Sequence, residues 1–139
     1  MDRFLQVLRE NLMKITPRRK AVISLFLKNN AQMKPCDVYK NLKRKLPKIG
    51  LPTVYRILDE LKNIGILVQV LSEDRQLYYS LCSMPAEHHH HHFICRKCKK
   101  TEEVDYCNFS EISRLIEKNL KCKAESHLLQ IKGLCAQCR

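Results

Sequence analysis

Two CxxC pairs, Cys95-x2-Cys98 and Cys135-x2-Cys138, carry the strongest chemical signal in the chain, with 36 residues between them. Four thiolates brought together suit Zn2+ in a closed tetrahedral site, and two short knuckles from distant segments are the usual way to supply them. Such a site is structural, because the energy of binding the ion becomes folding energy. A redox dithiol of thioredoxin type would instead need one CxxC opening a helix after a strand, and two pairs at strand ends do not offer that context.

A second constellation lies in CSMPAEHHHHHFICRKC, residues 82 to 98. Its five histidines are internal and followed by Phe93, Ile94 and Cys95, whereas purification tags sit at termini, so the run belongs to the protein. A histidine-rich tract that binds metal loosely without a fold is the plain alternative to an assembled site. In extended chain, however, side chains alternate, so that His88, His90 and His92 face one way while His89 and His91 face the other. One run then serves two sites. Cys82, His90, His92 and Glu103 supply one sulfur, two nitrogens and one oxygen, a set that suits Zn2+ better than Fe2+. The competing readings are an ordinary buried thiol at Cys82 and a solvated charge at Glu103. Cys36, Cys107 and Cys122 have no partner at ligand spacing and read as packing residues.

These residues need elements to hold them. Phe4, Leu5, Leu8 and Leu12 recur at helical spacing, and Thr16-Pro17 offers an N-cap with proline at the first position of a second helix, whose Val22, Leu25 and Phe26 form one apolar stripe. Pro35 opens a third helix with Val38 and Leu42 inward and Lys43, Arg44 and Lys45 solvated; Pro47 stops it. In GLPTVYRILDELKNIGIL, Pro52 marks a helix start and Gly65 its end, with Val54, Ile57, Leu58, Leu61 and Ile64 on one face. Thr53, Tyr55 and Arg56 are left at the exposed N-terminal end, where a recognition helix presents side chains to bases and phosphates. ILVQVL and QLYYSL, joined by SEDR, read as a hairpin. Three helices and a hairpin are the order of a winged helix-turn-helix, against which a generic helical bundle with a basic face is the bland alternative. Beyond it, FIC, EEVDY and HLLQIKGLC read as strands and Phe109 to Leu120 as an amphipathic helix bearing Ile112, Leu115, Ile116 and Leu120. That α+β unit is too small to bury much core and needs metal, oligomerisation or both.

The composition is compatible with this picture. At 139 residues, 45% hydrophobic and with three glycines, the chain suits one domain or two small ones and should fold. The net charge of +12 is uneven: residues 1–80 hold 16 Lys/Arg against 7 Asp/Glu, residues 81–139 hold 10 against 7. The basic field of the N-terminal part favours a polyanion, most simply nucleic acid, through counterion release. No apolar stretch reaches the roughly 18 residues a membrane helix needs, and MDRFLQVLRE lacks the apolar segment of a signal peptide. A cytoplasmic protein follows as the expectation, and eight cysteines in a reducing compartment point to metal ligation rather than disulfides.

In combination KITPRR, LPTVYRILDEL, HHHHFICRKCKK and HLLQIKGLCAQC resemble the ferric uptake regulator family of bacterial metal-dependent repressors over almost the whole chain. The resemblance implies an α+β protein: a winged helix-turn-helix over residues 1–81, a hinge with metal ligands over 82–92 and a small α/β dimerisation domain over 93–139. It implies DNA contacts from Lys14, Arg18, Arg19, Thr53, Tyr55 and Arg56, with Lys14 reaching the minor groove. Cys95, Cys98, Cys135 and Cys138 match structural zinc ligands, and His90, His92 and Glu103 match a regulatory site, with His88 an alternative to His90. His89, His91, Glu111 and His127 resemble a further site of some members. Iron and peroxide sensors of the family generally carry a histidine near position 32 and a carboxylate near position 80; this chain has Gln32 and Ser80. Tyr79-Ser80-Leu81-Cys82 instead matches the Tyr-x-x-Cys pattern of zinc uptake regulators.

The expectation is a homodimeric, zinc-responsive repressor of zinc uptake genes that binds double-stranded operator DNA, with structural and regulatory Zn2+, no membrane contact and no small-molecule substrate. The nearest rival keeps the fold and senses iron or peroxide, with Fe2+ or Mn2+ in the regulatory site. A constitutive nucleic-acid binder with purely structural zinc is a second rival. A zinc hydrolase is a poor fit, because neither HExxH nor an equivalent general base beside an open coordination position is present.

Overall fold

A computed structural model of the chain describes residues 1–29, 31–72, 75–82 and 91–139. They fall into two compact units, Met1–Glu87 and His88–Arg139.

The first unit is built from four helices and a hairpin. Helix α1 (Asp2–Glu10) buries Phe4, Val7 and Leu8. It ends before Leu12, which was expected on the same stripe; Leu12 instead takes a left-handed backbone (φ 55) and is 95% exposed. The cause is local, because its N–H closes a tight turn onto the Arg9 carbonyl at 2.9 Å. Helix α2 (Pro17–Asn29) starts as its Thr16-Pro17 signal requires: the Arg19 N–H donates to Thr16 Oγ1 at 3.3 Å. Helix α3 (Pro35–Lys43) has Pro35 in its first turn, with Val38 and Leu42 buried. Helix α4 (Leu51–Asn63) buries Val54, Ile57, Leu58 and Leu61. Its end is fixed by Gly65 at φ 75, where the Ile66 N–H reaches the Leu61 carbonyl and the Gly65 N–H the Lys62 carbonyl, a Schellman closure.

Strands β1 (Leu67–Leu71) and β2 (Leu77–Leu81) pair antiparallel with Leu67 opposite Leu81 and Leu71 opposite Leu77. Met33, in the turn before α3, adds a bridge to Tyr79 through two 2.9 Å backbone hydrogen bonds. Sequence periodicity had not marked that segment as strand-like. The core gathers Leu8, Val22, Phe26, Val38, Val54, Leu58 and Leu67 from all of these elements except β2, which adds Tyr79. Helices α2, α3 and α4 followed by the hairpin, in the order expected, make this unit a winged helix-turn-helix, with α1 added ahead of them.

The second unit is a three-stranded sheet and one helix. Strand β3 (His91–Cys95) is central, antiparallel to β4 (Thr101–Val104) and parallel to β5 (Gln130–Gly133). Helix α5 (Phe109–Leu120) links β4 to β5 and closes on a left-handed Lys121. Two expected boundaries shift. The central strand opens at His91 rather than Phe93, so His91 and His92 lie in the sheet. The last strand opens at Gln130, leaving His127 in the preceding segment. Gly133 lies opposite Cys95, and a Cβ there would stand 2.9 Å from the Phe93 ring, which is why the smallest residue fits.

Little apolar surface is buried in this unit. Among its described residues Ile94, Cys95 and Cys135 are the buried hydrophobics, and His91 is buried with them. The apolar face of α5 stays open, with Ile112, Leu115 and Leu120 all exposed.

Candidate metal centres

Cys95, Cys98, Cys135 and Cys138 converge, their sulfurs all within 4.8 Å of one another. The register explains how. Cys95 ends β3 opposite Gly133 of β5, and Cys135 follows two residues later, so parallel pairing of the two strands puts both knuckles at one end of the sheet. Each knuckle turns back on its first cysteine: the Lys99 N–H donates to the Cys95 carbonyl and the Cys138 N–H to the Cys135 carbonyl, both at 2.9 Å. The Cys98 and Cys135 sulfurs stand 3.7 Å apart, close to the edge of about 3.8 Å that Zn–S bonds of about 2.3 Å impose on a tetrahedron.

The four thiols are not equivalent as acids. Backbone N–H groups of Cys135 and Cys98 aimed at the Cys95 sulfur lower that thiol to about 6, against the cost of its burial. The Cys135 N–H to Cys95 sulfur distance is 3.4 Å. Cys138 is pushed up to about 12 by sharing its proton with the Cys135 sulfur. The donor set, sulfur only and closed, fits Zn2+ in a structural role.

Strand β3 splits the last two histidines of the run. Successive side chains in a strand leave on opposite faces, so His91 and His92 serve different surroundings. His92 lies directly opposite Glu103 of β4, which places the imidazole and the carboxylate side by side on one face. Cys82 follows β2 in the first unit, its N–H bonded to the Ile66 carbonyl at 3.0 Å. His88, His89 and His90 lie outside the described residues.

On the other side of β3, His91 meets His127, with Nε2 to Nε2 at 3.2 Å and the rings edge to face. The expected fourth partner, Glu111, is not there: it is an exposed residue in the first turn of α5. Cys107 stands in its place, with its sulfur 3.4 Å from His127 Nε2. The reason lies in where α5 begins. Phe109, its first residue, stacks on the His127 ring at 4.1 Å and sends its N–H to the sulfur of Cys107, two residues ahead of the helix, at 3.5 Å, which turns that thiol towards the histidines. The sequence alone makes Cys107 a packing residue, because its 20-residue distance from His127 matches no short ligand motif. The available hint was an unpaired thiol just ahead of an amphipathic helix.

The basic surface belongs to the first unit. Arg18, Arg19, Thr53 and Arg56 line one depression of about 370 Å3 between the start of α2 and the start of α4, together with Thr16, Ile57 and Glu60. Tyr55 is 43% exposed, and Lys14, Arg18 and Arg56 are exposed. Arg19 differs from the rest. Its guanidinium is held by Glu60 at 3.0 Å and by the Lys14 carbonyl at 2.6 Å, so it braces α2 against α4 and fixes the loop that carries Lys14. Among the described residues no helix is long and apolar enough to cross a membrane.

Comparison with known proteins finds relatives along nearly the whole chain. The model of the ferric uptake regulator family matches residues 10–132. The ferric uptake regulation protein of Bacillus subtilis is 32% identical over 139 residues, covering 99% of this chain and 93% of that protein. A ferric uptake regulator from Francisella tularensis, solved with iron, is 30% identical, with 91% of this chain and 94% of that one covered and a TM-score of 0.58. A zinc uptake regulator complexed with zinc and DNA shares the fold at a TM-score of 0.76, with 23% identity over 95% of this chain and 87% of that one. The family match over residues 10–132, with 32% identity to a relative along nearly the whole chain, shows that the chain belongs to the ferric uptake regulator family and is a metal-responsive DNA-binding regulator.

Proposed function

We propose that the metal sensed is zinc and that the protein represses zinc uptake genes as a dimer on double-stranded operator DNA. The observation that carries the reading is the donor set. His92 and Glu103 are paired across β3 and β4, and the residue that follows β2 is the thiol Cys82, with Ser80 where a carboxylate would favour iron. A site of Cys82, His90, His92 and Glu103 contains one thiolate, which suits Zn2+ over Fe2+ and Mn2+, whose hard oxygen and nitrogen preferences it does not meet. If zinc bound by these ligands favours the DNA-competent dimer, binding of zinc and binding of DNA are coupled. DNA is met by Tyr55, Arg56 and Thr53 in the major groove and by Lys14 and Arg18 on the backbone and minor groove. The uncovered face of α5 supplies the dimer contact.

Replacing Cys82 with Ser tests this directly. Zinc-dependent DNA binding is lost while the four-cysteine zinc is retained; if the variant still responds to metal normally, the cysteine-ligated sensor is wrong. An iron-responsive regulator is the second reading, favoured by the names of the curated relatives. It predicts that Fe2+ rather than Zn2+ promotes DNA binding at matched free concentrations.

A further inference from the structure

We propose that His91, Cys107 and His127 form a separate metal site that takes Zn2+ or a similarly borderline divalent ion through a thiolate, with Cys107 doing the work expected of a carboxylate at Glu111. The three ligand atoms lie within 4.8 Å of one another, and all three residues belong to the second unit.

The distances are those of a coordination polyhedron. Zn–N bonds of about 2.05 Å at tetrahedral angles put two nitrogens about 3.3 Å apart, and a nitrogen and a sulfur about 3.6 Å apart. The observed separations are 3.2 Å for the two Nε2 atoms and 3.4 Å for Nε2 and the Cys107 sulfur. Both imidazoles turn the same nitrogen inward, and as ligands both direct a lone pair at a shared ion. The surroundings fix that pose: Phe109 stacks on the His127 ring, and its N–H donates to the Cys107 sulfur. His91 is only 3% exposed, a polar ring in a unit with little buried surface.

A thiolate changes the chemistry of the site. Two imidazoles with a carboxylate accept iron, manganese or zinc, whereas two imidazoles with a thiolate select zinc and its softer neighbours. The ion also stitches. It ties the start of α5 and the segment ahead of β5 to the central strand, where few apolar contacts do so.

Cobalt substitution of the full-length protein, with the four-cysteine zinc left in place, reads the ligand set. Cobalt added to a Cys82→Ser chain is expected to give a near-ultraviolet cobalt–thiolate band that disappears in Cys82→Ser/Cys107→Ser and persists in Cys82→Ser/Glu111→Ala. A band unchanged by Cys107→Ser, or lost with Glu111→Ala, overturns the proposal. Zinc content gives the second reading: His127→Ala, distant from the four-cysteine centre, should hold one zinc per chain fewer than the parent, and an equal content is contrary to the site. Since Cys82 is absent from the test protein, failure of the zinc-sensing reading leaves this outcome unaffected.

Discussion

At the level of single residues, the roles proposed for the side chains divide into holding, sensing and touching DNA. Arg56→Ala or Tyr55→Ala should lose roughly 1–3 kcal/mol of discrimination between operator and random sequence. Lys14→Ala should weaken binding to both and lower the salt slope by about 1, as loss of one phosphate contact does. Competition titrations at several salt concentrations separate the two patterns, and three variants equal to the parent would remove α4 from the groove. Arg19→Ala belongs to a different class. Its pairing with Glu60 is partly shielded, so the variant should lose about 1 kcal/mol of stability in chemical denaturation as well as DNA affinity, because the Lys14 loop loses its anchor. The proton on Cys138 gives a further signature. With that thiol pushed up and Cys95 held low by backbone N–H groups, the metal-free centre still carries the Cys138 proton at pH 7, and zinc must displace it. Zinc affinity therefore rises with pH, and a pH-indicator titration should register proton release on loading. The four cysteines were readable because CxxC spacing encodes a knuckle whatever lies between. Cys107 was not, because its partners arrive through strand pairing and a helix start 20 residues from His127.

Among the elements, the first unit was legible almost throughout. Proline and threonine starts, the glycine end of α4 and periodic apolar faces are local signals, and each named a boundary that packing then respected. The bridge from Met33 to Tyr79 is illegible in the sequence because a one-residue bridge has no period to read. In the second unit β3 starts two residues early because pairing with β4 and β5, rather than side-chain preference, draws histidines into the sheet. That shift has a functional result, since it orients His91 and His92 to opposite faces. It also sets a packing test: Gly133→Ala presses a methyl on the Phe93 ring, and should cost about 1–2 kcal/mol and raise the rate of zinc loss from the adjacent knuckles. Zinc retention and stability equal to the parent would show that Phe93 yields freely.

For the whole molecule, charge and metal divide the labour. The excess of positive charge sits in residues 1–80, the part that carries the recognition helix, and the metal ligands cluster where the chain has least apolar interior. Stripping all zinc should unfold the second unit while the first keeps its helices, seen as loss of dimer with helical signal retained; simultaneous melting of both would contradict the separate cores. Regulation then rests on linkage. If zinc favours the DNA-competent dimer, operator DNA must favour zinc to the same degree. The decisive measurement is the regulatory zinc affinity of the full-length protein, free and saturated with an operator duplex selected from random sequence. Tighter zinc binding on DNA, by the same factor by which zinc tightens DNA binding, is the predicted result; a zinc affinity unchanged by the operator would contradict zinc sensing by this protein.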